Sequence, residues 1–241
     1  MVQVVGGTLE GDSADLVTNF VSSRPPSDFA ALYKTDKLSG GHVIMLGPGN
    51  ENAARSCLDA YPNALQLGGG VNPANAESYL RDGASHVIVT SYLFDNGTFV
   101  LGRLKAMADA VGKDRLVVDL SCKKQGEGQY CVATNRWQTL TDTTLSESTI
   151  ALVETYCAEL LVHAVDVEGK CEGIDESLVQ LLGQWTRLPV TYAGGARQIA
   201  DIRRVEMLSD GKVDLTIGSA LDIFGGSSVK YADAIKLARY V

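Results

Sequence analysis

Short apolar, β-branched runs alternate with amphipathic stretches from one end of the chain to the other. Seven of these runs predict strands: His42–Leu46, Ala64–Leu67, His86–Thr90, Arg115–Leu120, Leu160–Val165, Pro189–Ala193 and Val213–Ile217. Each is continuously apolar rather than alternating, which means burial on both faces, as in a parallel strand covered by helices. Between them the spacing predicts helices over Asn52–Tyr61, Asn75–Asp82, Leu101–Val111, Ser148–Ala158, Ser177–Trp185 and Ile199–Leu208. Trp185 stands at helical spacing from Leu181 and Leu182, so it is expected in the core-facing stripe. Regular β-α alternation leaves two architectures, the open doubly wound sheet and the closed barrel.

Two features favour the barrel. Glycines and small polar residues close strand after strand, at Gly47, Gly68–Gly70, Thr90-Ser91, Gly194-Gly195 and Gly218-Ser219. A barrel places its site on that rim, whereas an open sheet concentrates such residues at one switch point. The halves also echo each other. Gly68 and Gly194 are 126 residues apart in like turns, and Ser91 and Ser219, on the strands that follow, are 128 apart. The expectation is a (β/α)8 TIM barrel of two half-barrel repeats. The start does not fit a complete one. Val2–Val5 is a short β run ahead of Gly6-Gly7, and one helix candidate, Asp28–Lys34, lies in the polar, proline-containing stretch before His42.

A length of 241 residues suits one such domain, taken here as residues 1–241. The net charge of −8 repels phosphate backbones, so nucleic acid is not an expected partner. Small phosphorylated ligands remain open, because backbone amides bind them without net basic charge. Cys57, Cys122, Cys131, Cys157 and Cys171 form no CxxC pair, which suggests reduced thiols in an intracellular compartment. His42, His86 and His163 are too scattered to suggest a metal site. The apolar runs are shorter than the ~20 residues of a membrane span.

The chemistry concentrates at the strand ends. Gly69-Gly70 and Gly194-Gly195 each end a buried strand before a helix, where free N–H groups and the helix dipole favour a phosphate. Thr90-Ser91 and Gly218-Ser219, on the next strands, add amides and hydroxyls. Taken singly, such glycines can simply permit tight turns; two matched sites favour a ligand phosphorylated at both ends. Asp119 closes an apolar strand, where a carboxylate is costly unless used or paired, and is a general acid/base candidate. Asp166 holds a similar place on the following strand, and Asp222 is expected to cap a turn. The connection from Ser121 to Leu145 is longer than usual βα loops and reads as a lid. Its Arg136 and Trp137 suit a phosphate and a planar heterocycle.

Several stretches together resemble one family, the phosphoribosylformimino-aminoimidazole carboxamide ribotide isomerases of histidine biosynthesis in their eukaryotic form. They include VVGGTL (Val4–Leu9), VTNF (Val17–Phe20), GGHVIMLG (Gly40–Gly47), LQLGGGVN (Leu65–Asn72) and SHVIVTSYLF (Ser85–Phe94). Further along come RLVVDLSCKK (Arg115–Lys124), RWQTLTD (Arg136–Asp142), HAVDVEGKCEGIDE (His163–Glu176), VTYAGGA (Val190–Ala196) and KVDLTIGSALDIFGG (Lys212–Gly226). The resemblance implies an aldose-ketose isomerase working by an Amadori rearrangement, without metal or organic cofactor. It assigns Asp119 as the strand-five aspartate, the two glycine turns and Thr90, Ser91, Gly218 and Ser219 as phosphate grips, and Trp137 as the cover of the imidazole. Asp166 would substitute for a strand-six threonine that this chain replaces with Ala164. It also implies a monomer without nucleic-acid or membrane partners, in the cytoplasm or, behind a transit peptide, the chloroplast stroma.

One departure stands out. Family members begin with a strand reading roughly Cys-Ile-Asp-Leu-His, whereas this chain begins within the segment after it. On that reading the barrel is N-terminally truncated and lacks the strand-one aspartate; Asp12 and Asp15 are poor substitutes. Loss of one member of an acid/base pair costs about 10²–10⁴-fold in rate, so impaired turnover is expected. Two alternatives are a sister barrel like the imidazole glycerol phosphate synthase cyclase and a phosphate-binding pseudoenzyme. The RWQ and GSALDIFGG stretches weigh against the cyclase.

Overall fold

A computed structural model describes residues 2–4, 18–126 and 128–238. The VVGGTL stretch beyond Val4, together with Asp12 and Asp15, lies outside the described residues. All seven expected strands are present. They are β1 (Gly41–Ile44), β2 (Leu65–Gly68), β3 (His86–Val89), β4 (Leu116–Asp119), β5 (Glu159–His163), β6 (Val190–Ala193) and β7 (Val213–Thr216). They form one parallel sheet in chain order. Residues from β1 (His42, Ile44) and β7 (Thr216) line one cavity, so the sheet curls until its end strands face each other. This is an α/β fold of the (β/α)8-barrel type.

Among the described residues, eight α-helices accompany the sheet: α1 (Pro26–Asp36), α2 (Glu51–Ala60), α3 (Ala76–Arg81), α4 (Leu101–Val111), α5 (Glu147–Glu154), α6 (Glu176–Trp185), α7 (Ala200–Ser209) and α8 (Tyr231–Ala238). Successive strand residues point alternately to the two faces. Val87, Val89, Leu116, Val118, Leu160 and Val162 join helix residues such as Leu104, Met107, Ile150 and Leu182 in the outer core. Ile88, Val117 and Leu161 point the other way and pack as a separate cluster inside the curl. Both faces are therefore dry, which is why the strands read as unbroken apolar runs. Trp185 packs partly buried against the outer core, as its spacing predicts.

The segment after β4 is more ordered than a plain loop. It folds as a three-stranded antiparallel sheet of Cys122–Gln125, Gln129–Thr134 and Thr139–Thr144. Tyr130, 2% exposed, anchors it by donating its hydroxyl to both oxygens of Asp175 at 2.9 and 2.8 Å. Asp175 also caps α6 by accepting from Leu178 N, and its own N–H donates to the Tyr192 hydroxyl. One residue, through its carboxylate and its backbone N–H, thus ties the lid sheet to a helix start and a barrel strand.

The inner cluster gives a direct test of this packing. Leu161 is fully buried and clusters with Ile88 and Val117. Leu161→Ala is expected to lose about 2–5 kcal/mol, read as a lower urea midpoint at unchanged slope.

Candidate functional site

The rim at the C-terminal ends of the strands gathers most of the residues singled out above. Asp119 ends β4 and its carboxylate is 13% exposed. Its Oδ1 accepts from the Ser121 N–H at 2.7 Å and the Ser121 hydroxyl at 2.6 Å, and its Oδ2 accepts from the Thr90 hydroxyl at 3.2 Å. His163, at the end of the neighbouring β5, brings Nδ1 to 3.7 Å from Oδ2 and to 3.0 Å from the Ser121 oxygen. The serine has one proton, and the carboxylate can only accept it. The shared geometry therefore makes Nδ1 of His163 the donor to Ser121, which in turn donates to Asp119.

Burial alone would raise the Asp119 pKa, but the hydrogen bond and charge of His163 and the two Ser121 donors outweigh it and hold it below the usual range. Burial likewise works to lower the His163 pKa, and the Asp119 partner overcomes it, so that it lies above the usual value. Both shifts favour the imidazolium–carboxylate form of the pair. Burial and the His163 charge act together on His42, against Asp119, and lower its pKa to about 4. His42 is neutral at physiological pH.

A cavity of about 160 Å³ opens beside this pair. His42, His163, Glu168, Gly194, Gly195, Gly218 and Ser219 line it. Burial pushes the Glu168 carboxyl above the usual glutamate range, against the His163 charge and a backbone hydrogen bond at Gly169. Asp166, two residues earlier, is exposed and accepts from the Lys124 N–H at 2.7 Å. It braces the lid sheet, and the carboxylate that lines the cavity is Glu168. Asp222, expected to cap a turn, accepts from Tyr231 N at the start of α8.

The two glycine turns lie at β2 and β6, with β3, β4 and β5 between them in the sheet. Each demands glycine by close approach as well as by positive φ. A Cβ on Gly69 (φ 96°) would lie 2.0 Å from the Met45 carbonyl oxygen, and one on Gly195 (φ 73°) 2.0 Å from that of Gly173. Gly70 (φ 70°) has open space where its side chain would be. Gly194, Gly195, Gly218 and Ser219 reach the cavity together. Ser91, beside the other turn, accepts a hydrogen bond from the Asn135 N–H of the lid at 3.1 Å. Asn135, Arg136 and Trp137 all have positive φ (52°, 55° and 64°), a conformation costly for non-glycine residues. This turn leaves Arg136 exposed and carries the Trp137 ring to 5.6 Å from that of His163, tilted by 49°.

The sequence pattern points to Asp119, the glycine turns, Thr90, Ser91 and Trp137. It does not single out Ser121, His163, Glu168 or His42 as site residues. A polar side chain within an otherwise apolar run, as at His42 and His163, is the signal that could have found two of them.

The fold and its strand-end rim are those of an α/β-barrel enzyme. Residues 4–227 match the family described as histidine biosynthesis protein, and the chain belongs to that family. It is 53% identical over 239 residues to the 1-(5-phosphoribosyl)-5-((5-phosphoribosylamino)methylideneamino)imidazole-4-carboxamide isomerase of Neurospora crassa, covering 98% of this chain and 93% of that one. The isomerase of the same name from Yarrowia lipolytica is 52% identical over 242 residues, covering 97% and 91%. A chloroplastic isomerase of the same name from Medicago truncatula is 50% identical over 239 residues, covering 97% and 76%.

The pairing of His163 with Asp119 has a measurable sign. In Asp119→Asn the main partner that opposes burial is removed and only the Glu168 charge remains against it, so the His163 pKa is expected to fall, followed by its NMR shifts. In the unsubstituted protein the His163 contribution to stability is complete below 6.5 and fades as pH rises through the raised pKa. That of Asp119 is complete above 3.8 and fades as pH falls through the lowered one. The variant's stability deficit is therefore expected to be largest between these two values.

Proposed function

We propose that this protein isomerises the N-linked aminoaldose of its relatives' named substrate to the aminoketose, by an Amadori rearrangement in histidine biosynthesis. The observation that carries the reading is the pair of carboxylates near His163 whose environments drive them apart: Asp119 towards the ionised form and Glu168 towards the protonated form. Divergent pKa shifts of this sort assign a base and an acid.

Glu168 protonates the ribose ring oxygen as the C1–O bond breaks, and the nitrogen lone pair completes a protonated Schiff base. Asp119 removes the C2 proton, giving an enolamine. Asp119 then returns a proton to C1 while the C2 hydroxyl proton passes to the Glu168 carboxylate, which yields the ketose with the atoms of the substrate conserved and both carboxyl groups restored. Asp119 is already ionised, so no proton must first be removed from it, and His163 stabilises its charge until the proton arrives. Gly69, Gly70, Thr90 and Ser91 grip one phosphate, and Gly194, Gly195, Gly218 and Ser219 the other. Both are main-chain-rich cradles suited to an acidic protein. Trp137 covers the imidazole ring and Arg136 adds charge at the lid tip. The reading includes a monomer acting in the cytoplasm, or in the chloroplast stroma as the Medicago relative's name indicates for that protein.

Turnover of the bisphosphorylated aminoaldose by the purified protein tests the proposal. Asp119→Asn and Glu168→Gln are each expected to lower kcat by about 10²–10⁴ with a much smaller effect on KM. In the unsubstituted enzyme, rate should fall at low pH as Asp119 protonates and at high pH as Glu168 ionises. Residual activity in Glu168→Gln should lose the high-pH limb. Saturable binding of the bisphosphate with no isomerisation by the unsubstituted protein would instead describe a phosphate-binding protein without catalysis.

A further inference from the structure

The two oxygens of the Asp119 carboxylate have unequal surroundings. Oδ1 accepts both Ser121 donors, the N–H at 2.7 Å and the hydroxyl at 2.6 Å. A carboxylate oxygen offers about two lone-pair positions, so these two bonds saturate it. Oδ2 accepts one longer bond, from the Thr90 hydroxyl at 3.2 Å. The Nδ1 of His163 stands 3.7 Å from Oδ2, beyond hydrogen-bond reach, and the His163 ring lines the rim cavity. Ser121 is fully buried and is held in place by main-chain bonds on both sides. Its carbonyl accepts the Ala133 N–H of the lid's central strand at 2.8 Å. The Leu120 N–H before it donates to the Leu161 carbonyl at 2.8 Å, and the Cys122 carbonyl after it accepts the Val165 N–H at 3.0 Å. Removing the hydroxyl leaves all of these intact, because its own contacts are with Asp119 and His163.

Resting on the isomerase reading, we infer that Ser121 is a positioning residue for the rearrangement. It ties down Oδ1 and leaves Oδ2 as the one atom that takes the proton from C2 and gives it back to C1. As Oδ2 takes the proton, the C2–H pair forms the C1–C2 double bond and the C1–N π pair returns to nitrogen. The double-bond pair then recovers that proton at C1, while the C2 hydroxyl gives its own to Glu168 and becomes the carbonyl. A carboxyl group free to turn would exchange its two oxygens, and its proton with water, between these steps. One anchored by two donors and 13% exposed keeps its proton, so part of the hydrogen that leaves C2 arrives at C1. Around the carboxylate, His163 faces it from β5, and His42 on β1 and Cys122 beside Ser121 also feel its charge. Glu168 in turn acts on His163. Burial keeps His42 and Cys122 neutral at physiological pH, which leaves His163 as the cation that Asp119 meets. Losing the Ser121 hydroxyl removes one of the donors that oppose burial, so the Asp119 pKa rises.

The test uses the bisphosphorylated aminoaldose carrying deuterium at C2, turned over in ordinary water, with the product read by NMR. The unsubstituted protein is expected to place measurable deuterium at C1 of the ketose. Two variants remove the hydroxyl donor: Ser121→Ala, and Ser121→Cys, which keeps nearly the same volume and shape with only a weak S–H donor. Each should lower kcat by about 10- to 100-fold with KM nearly unchanged. Each should also reduce the share of label reaching C1 and move the low-pH limb of the rate profile to higher pH. Full activity in Ser121→Cys would show that the residue only fills space and would overturn the inference. A raised KM with an unmoved low-pH limb would overturn it in favour of a binding role. Absence of deuterium at C1 from the unsubstituted protein, or an equal share of label in all three proteins, would overturn it as well. Each of these results leaves the isomerase reading standing. Absence of turnover by the unsubstituted protein overturns that reading and the role of Ser121 with it.

Discussion

The site is organised around one electrostatic constraint, the cost of placing the Asp119 carboxylate at the end of a strand whose three preceding residues are wholly buried. An uncompensated charge there would be neutralised by its own pKa shift. Compensation comes from three successive strand ends: Thr90 after β3, Ser121 just past β4, and His163 on β5. It also fixes register, because a slip of one residue would turn Asp119 towards the helices and His163 away from it. Packing inside the curl by Ile88, Val117 and Leu161 holds the same register from below. The carboxylate is thereby a lock on the strands that present it.

The lid is held by a small number of contacts of the same kind. Asp175 receives the Tyr130 hydroxyl while capping α6, and Asp166 receives the Lys124 amide. These two carboxylates fix the base of the antiparallel sheet, so its tip can hold three consecutive left-handed residues. The conformational cost of that tip is offset by placing Trp137 over His163 and the Asn135 amide on Ser91. The tip hydrogen bond uses the Ser91 oxygen, which ties the lid to the rim at that edge.

The related halves are not equivalent in this structure. A Cβ on either Gly69 or Gly195 would meet a neighbouring carbonyl oxygen at 2.0 Å, so both turns are glycine for the same reason. Yet only the Gly194-Gly195 side opens with Gly218 and Ser219 onto the rim cavity. On the other side, Thr90 is bonded to Asp119 and Ser91 to the lid. Repetition set the backbone, and the side chains between the repeats made the two ends different.

By itself, the sequence determined the strands, helices, their parallel order and the glycine turns, because unbroken apolar runs and helical spacing are local consequences of burial. It also placed Asp119 at a strand end, where a charge that follows three apolar residues must be used or paired to be tolerated. Only the tertiary structure decided which carboxylate lines the rim cavity, since Asp166 and Glu168 stand two positions apart and differ in which way the loop turns them. The same holds for Ser121 and His163, whose bond spans 42 positions. Such pairings depend on strand order and curl, which bring distant residues together after the local pattern has been satisfied.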